Sequence, residues 1–136
     1  MDRFISHSGA RSALVALALL ALGSGCASKG RTYEPCNGPG DCESPAGCSE
    51  IVVDYGDVRA NGALCTIECS ASVACPAQPD DGYPGACVSF SPGLFTCFQR
   101  CVTDATCPAG YGCIDRLPDG TGGEYLLPAA VCLPAR

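Results

Sequence analysis

Residues 97–113 read C-F-Q-R-C-V-T-D-A-T-C-P-A-G-Y-G-C. Three residues separate the first two cysteines and five separate each later neighbour, and those numbers return elsewhere in the chain. Working outward, the cysteines fall into three sets: Cys36-x5-Cys42-x5-Cys48-x16-Cys65, Cys69-x5-Cys75-x11-Cys87-x9-Cys97 and Cys101-x5-Cys107-x5-Cys113-x18-Cys132. Three residues separate each set from the next. The strings D-C-E-S-P-A-G-C, A-C-P-A-Q-P and T-C-P-A-G-Y-G-C share a proline soon after the second cysteine. A spacing that recurs with its side chains marks tandem repeats. The chain therefore divides into module one (36–65), module two (69–97) and module three (101–132).

The fold class follows from the cysteines and from what is scarce around them. After residue 25 the chain has 111 residues, of which 19 are Val, Ile, Leu or Phe, too few for an ordinary core. At this cysteine density cross-links take over part of the work of a core, each contributing about 2 to 4 kcal/mol by restricting the unfolded chain. The x5 segments, such as N-G-P-G-D at 37–41, are rich in turn-formers. Segments between the third and fourth cysteine read as hairpins. Module one offers I-V-V-D-Y and A-L-C-T-I, with Gly56 and Asn61-Gly62 between them. Module two offers V-S-F and L-F-T around Ser91-Pro92-Gly93, and module three C-I-D-R-L and A-V-C-L around Pro118-Asp119-Gly120. The expectation is a small disulfide-rich fold of short antiparallel β-hairpins and irregular loops, with little helix outside the leader.

Closed modules are the simplest pairing, since a unit duplicated with four cysteines satisfies its own thiols. This permits 27 patterns, against roughly ten thousand for unrestricted pairing of twelve. A two-residue turn at Pro92-Gly93 would set Cys87 opposite Phe98, with Cys87 and Cys97 on opposite faces, which disfavours joining third to fourth. A three-residue turn would restore it. First with third and second with fourth is the expected pattern: Cys36 with Cys48, Cys42 with Cys65, Cys69 with Cys87, Cys75 with Cys97, Cys101 with Cys113, and Cys107 with Cys132.

Residues 1–25 have the features of a signal peptide: Arg3 and Arg11, an uninterrupted apolar run from Ala13 to Leu22, then Gly23, Ser24 and Gly25. Ten apolar residues fall short of the roughly 18 to 20 that span a membrane. The total of 13 cysteines is odd, and Cys26 stands outside the repeat. The string L-G-S-G-C-A-S around it resembles the bacterial lipoprotein signal, although Gly23 stands where that family prefers a branched apolar residue. The resemblance implies cleavage before Cys26, a diacylglyceryl group on its thiol, and acylation of the new amino terminus. Residues 26–35 then form a lipidated cysteine and tether, in which Tyr33 either hangs free or packs on module one. Ala27 and Ser28 resemble the sorting residues of outer-membrane lipoproteins, so the implied location is the cell envelope at the outer membrane.

Chemistry is limited by what the later residues lack. The one histidine, His7, falls in the leader, so a chain beginning at Cys26 holds no Ser/His/Asp or Cys/His arrangement. Its formal charge of −7 disfavours nucleic acid and anionic membrane surfaces. Twelve pairable cysteines in an exported chain favour disulfides over zinc. Asp54 with Asp57, Asp80 with Asp81, and Asp115, Asp119 and Glu124 lie near glycines, but none fits a calcium loop of EF-hand type, and turn-forming aspartates account for them. No cofactor or metal is expected. Phe90, Phe95, Phe98 and Tyr83 are the one aromatic concentration, and two of the three phenylalanines are expected to form module two's core.

The framework C-x5-C-P-A-G-Y-G-C and its relatives, spanning Cys36 to Cys132, resembles cysteine-rich repeats of bacterial surface lipoproteins and, more loosely, extracellular antagonists of the Dickkopf type. It implies fold style and compartment, and no binding residue. The expected function is a lipid-anchored, non-enzymatic interaction or structural module with an unidentified protein partner. The alternative is an inhibitor of exported hydrolases that presents the rigid loop 78–85, Q-P-D-D-G-Y-P-G, which is peculiar to module two.

Overall fold

The computed structural model describes residues 28–136; the leader, Cys26 and Ala27 lie outside the described residues. Six strands form three two-stranded antiparallel hairpins: β1 (Gly47–Asp54) with β2 (Arg59–Thr66), β3 (Ala86–Ser91) with β4 (Leu94–Phe98), and β5 (Tyr111–Pro118) with β6 (Glu124–Pro134). The sole helical element among the described residues is a 3-10 turn, Asp104–Thr106. The protein is thus a small, disulfide-rich β-hairpin fold.

All six bridges close within modules, first to third and second to fourth: Cys36–Cys48, Cys42–Cys65, Cys69–Cys87, Cys75–Cys97, Cys101–Cys113 and Cys107–Cys132. Their Cα separations of 5.4 to 5.9 Å sit at the usual value for a disulfide. The geometric reason offered from the sequence does not hold. Third and fourth cysteines are directly opposite in every hairpin, as Cys48 and Cys65, Cys87 and Cys97, and Cys113 and Cys132. Around Pro92-Gly93 the loop does have two residues, but a bulge between Ser89 and Ser91 moves Cys87 from Phe98 to Cys97. Pro92 fixes a negative φ and Gly93 sits at φ 82°, the pattern of a type II turn, whose twist suits a hairpin poorly and is relieved by the extra residue.

The repeat extends to the backbone. In each module the residue before the first cysteine bridges the residue before the fourth: Pro35 with Leu64, Glu68 with Thr96, and Arg100 with Val131. The first cysteine's N–H bonds the carbonyl two residues before the fourth, as Cys36 to Ala63 (3.1 Å), Cys69 to Phe95 (3.0 Å) and Cys101 to Ala130 (3.1 Å). The fourth cysteine's N–H returns the bond to Glu34, Ile67 and Gln99. The constant three-residue junction now has a cause. A strand leaving one module must reach the second-strand edge of the next in a fixed register.

Covalent closure does not separate the modules in space. One apolar cluster joins Ile51, Val53 and Leu64 of module one, Val88 and Phe98 at β3 and β4, and Leu117, Val131 and Leu133 at β5 and β6. Asn61-Gly62, expected in the first turn, lies inside β2, opposite Val52 and Ile51. The turn is Gly56-Asp57. Gly62 is needed for close approach: a Cβ there would lie 2.9 Å from Pro134 Cγ and collide with the Tyr111 ring. Tyr111 Oη donates to Ala63 O at 3.1 Å, and the buried Tyr55 Oη donates to Pro134 O at 2.6 Å. Hydroxyls and rings thereby tie module three to module one.

Candidate functional site

The cysteine sulfurs are structural. Cys65 and Cys97 are completely buried, and the bridges pack as small apolar clusters with Ala46 and Ala63 in module one and with Tyr33 and Ile67 beside module two. Three sulfurs in each module lie within 4.8 Å of one another, a ligand-like spacing, but all belong to disulfides, which offer no thiolate to a metal. Extensive disulfide bonding belongs to an exported, non-cytoplasmic protein.

Tyr33 is the largest departure in the tether. It is 2% exposed and packs with Cys69, Cys75 and Cys97 of module two rather than on module one. Its hydroxyl donates to Pro76 O at 2.9 Å, while its N–H donates to Cys65 O at 2.6 Å, so one residue at φ 77° pins two modules. Burial raises its pKa to about 12. Gly30 also bonds across to Asp41 and Glu43, so the segment from Gly30 to Pro35 is built into the fold.

The aspartates sit where turns need them. Asp54 Oδ1 accepts from Gly56 N at 2.9 Å, and that bond, helped by Arg59, holds its carboxyl below the usual range. Asp119 Oδ1 accepts from the Thr121 hydroxyl, Thr121 N and Gly123 N, and its pKa is lowered chiefly by the Thr121 hydroxyl. Asp81 accepts from the Gln78 side chain and from Tyr83 N. These are Asx-type contacts that organise loops.

Loop 78–85 is braced. Gln78 is 4% exposed, its side chain accepts from Arg100 N, and its backbone exchanges bonds with Tyr83 and Gly82. Tyr83 at the tip is 69% exposed. Of the three phenylalanines only Phe98 is buried; Phe90 packs edge-on to it at 5.3 Å while staying partly exposed, and Phe95 is exposed. The expectation of two core phenylalanines is corrected: the bulge at Phe90 interrupts the inward alternation of β3. With Leu94, the Phe90 and Phe98 rings border a groove of about 270 Å³ between hairpins one and two, whose other wall is Ser49–Val52. Alternation alone could not locate it, because it arises between modules.

No family model, curated protein or solved structure matches this chain.

Proposed function

We propose that the chain is a lipid-anchored, non-enzymatic interaction module of the bacterial cell envelope, held at the outer membrane by Cys26. One observation carries the reading. The six bridges consume all twelve later cysteines, so Cys26, placed directly after an apolar leader, has no disulfide partner within the chain. The resemblance of L-G-S-G-C-A-S to a lipoprotein signal supports a use for that thiol, and the surface-lipoprotein framework supports the location. A rigid acidic scaffold with partly exposed aromatic rings suits contact with another protein better than turnover. Nucleic acid is not among the partners proposed.

Labelled fatty acid supplied to expressing cells tests the anchor. The reading expects label in the wild type and none in Cys26→Ser, which should accumulate as precursor or as soluble product. Label retained in Cys26→Ser refutes it.

A second reading has its own observation, the braced loop 78–85 with Tyr83 at its tip, and makes the module an inhibitor of exported hydrolases. Micromolar or tighter inhibition of an extracellular protease, lost in Tyr83→Ala, would put this reading first.

A further inference from the structure

A two-stranded hairpin has two edges, and an unpaired edge invites another strand. In module one the β2 edge is used, because Cys65 and Ala63 direct their backbone groups to residues 33–36. Opposite residues in an antiparallel ladder point the same way relative to each other, both inward or both outward. Cys48 and Glu50, opposite Cys65 and Ala63, therefore turn their N–H and C=O groups to the outer edge of β1, and Val52 follows by alternation. Among the described residues nothing bonds these groups.

The outer edges of the other hairpins are interrupted. Asp104 Oδ1 covers the Cys113 N–H of β5 at 2.7 Å, and both β3 and β5 are broken by register shifts. β1 runs eight residues in unbroken register and contains neither Lys nor Pro. The groove described above follows it. Four consecutive residues, Ser49–Val52, line that groove, so it reaches the strand's edge as well as the face that Thr66 shares. Across it stand Phe90 and Leu94, and its only charged lining residues are Glu50 and Glu68.

We propose that the outer edge of β1 binds an extended segment of a partner protein in which Lys or Arg alternates with apolar residues. The segment's backbone pairs with Cys48, Glu50 and Val52. Its cations lie on the face of Glu50, and its apolar side chains turn toward Phe90 and Leu94. A second copy of the chain is the poorer occupant, since antiparallel pairing of β1 with itself about Val52 sets Glu50 against Asp54, and like charges directly opposite repel. The proposal rests on the interaction-module reading and supplies the chemistry of its partner.

The test uses the full chain, disulfides intact, titrated with the peptide Lys-Val-Lys-Val-Lys-Val-Lys and with the same peptide carrying Glu for Lys. The expected result is saturable binding of the basic peptide alone, with slowed amide exchange at Glu50 and Val52. Val52→Pro removes only an outward N–H, leaves every β1–β2 hydrogen bond in place, and should weaken binding at least tenfold. Glu50→Lys, which leaves the backbone untouched, should invert the peptide preference; a preserved disulfide map verifies both folds. Equal affinity for the acidic peptide, an unaltered affinity in Val52→Pro, no binding at all, or a dimer abolished by Val52→Pro would overturn the proposal. Fatty-acid labelling at Cys26 is read separately, so a failed titration refutes the docking edge and leaves the anchored-module reading standing.

Discussion

Hairpins one and two have the same covalent frame and reach it differently. In both, the third and fourth cysteines face each other across the ladder and each sulfur bonds a cysteine from the loop before it. Hairpin one turns through Gly56-Asp57 with positive φ at the first position, the pattern of a type II′ turn, which matches strand twist. It needs no bulge. Hairpin two turns through Pro92-Gly93 with positive φ at the second position and absorbs the mismatch at Phe90. The cysteine frame and the shared core set the register, and the turn adapts to them. The regular hairpin keeps a continuous open edge; the adapted one displaces an aromatic ring toward the groove beside it.

Hairpin one's register matters to the whole molecule at the joint where β2 meets module three. Gly62→Val places a branched side chain where Tyr111 and Pro134 pack on β2. Overpacking of this kind costs about 3 kcal/mol. Urea unfolding should show that loss with module one's bridges still formed. An unchanged midpoint would mean that module three does not dock there.

Next in size is the turn itself. Pro92→Asn gives Asn-Gly, which prefers a type I′ turn and a register without a bulge. That register would bring Cys87 opposite Phe98 and turn the inner face outward. If the frame governs, peptide mapping will still find Cys69–Cys87 and Cys75–Cys97, with a loss of about 1 kcal/mol from the conflict and from the freer unfolded chain. A new bridge pattern would show that the turn governs instead.

How far the sequence reaches is clear from the same residues. Repeat spacing and scarcity of apolar side chains point to hairpins in a disulfide frame, because both are local properties of the chain. The bulge at Phe90 was hidden, since a Pro-Gly pair announces a turn without stating how its twist is relieved. Asn61-Gly62 looked like a turn because nothing local reveals Tyr111, 49 positions later, lying against Gly62. Tyr33 was ambiguous for the same reason: its contacts, Pro76 and the module-two cysteines, are distant in the chain. The groove and the open β1 edge depend on how modules meet, which spacing within a module does not encode.

Tyr33 clamps the regular module to the adapted one. Its folded pKa, raised by burial to about 12, exceeds its ordinary value near 10. The unfolded chain therefore loses this proton first as pH rises, so the stabilisation is complete below about pH 10 and is lost progressively toward pH 12. Tyr55 and Tyr111 are shifted in the same direction by burial and add to the fall. Tyr33→Phe should cost about 1 kcal/mol at neutral pH, the worth of its bond to Pro76 O. Between pH 10 and 12 it should lose stability less steeply than the wild type, as read by urea midpoints across that window. Parallel curves would exclude Tyr33 as a source of the alkaline loss.

The smallest effect tests why one outer edge is open and another is not. Asp104 lies three residues after the first cysteine of module three, and the equivalent position in module one is Pro39, whose side chain has no acceptor. The Asp104 Oδ1 accepts from Cys113 N, an outward N–H of β5, as Pro108 O does from Tyr111 N at the start of the strand. Asp104→Ala removes that acceptor without touching the β5–β6 ladder or the Cys101–Cys113 bridge. The Cys113 amide should then exchange up to about tenfold faster, as loss of a single ordinary hydrogen bond allows. Amides that pair with β6 should keep their rates, and the thermal midpoint should hardly move. If the variant also begins to bind the Lys-Val peptide weakly, edge exposure is what confers binding and β1 differs from β5 by this cap; if only β1 ever binds, Glu50 and the neighbouring groove carry the selectivity.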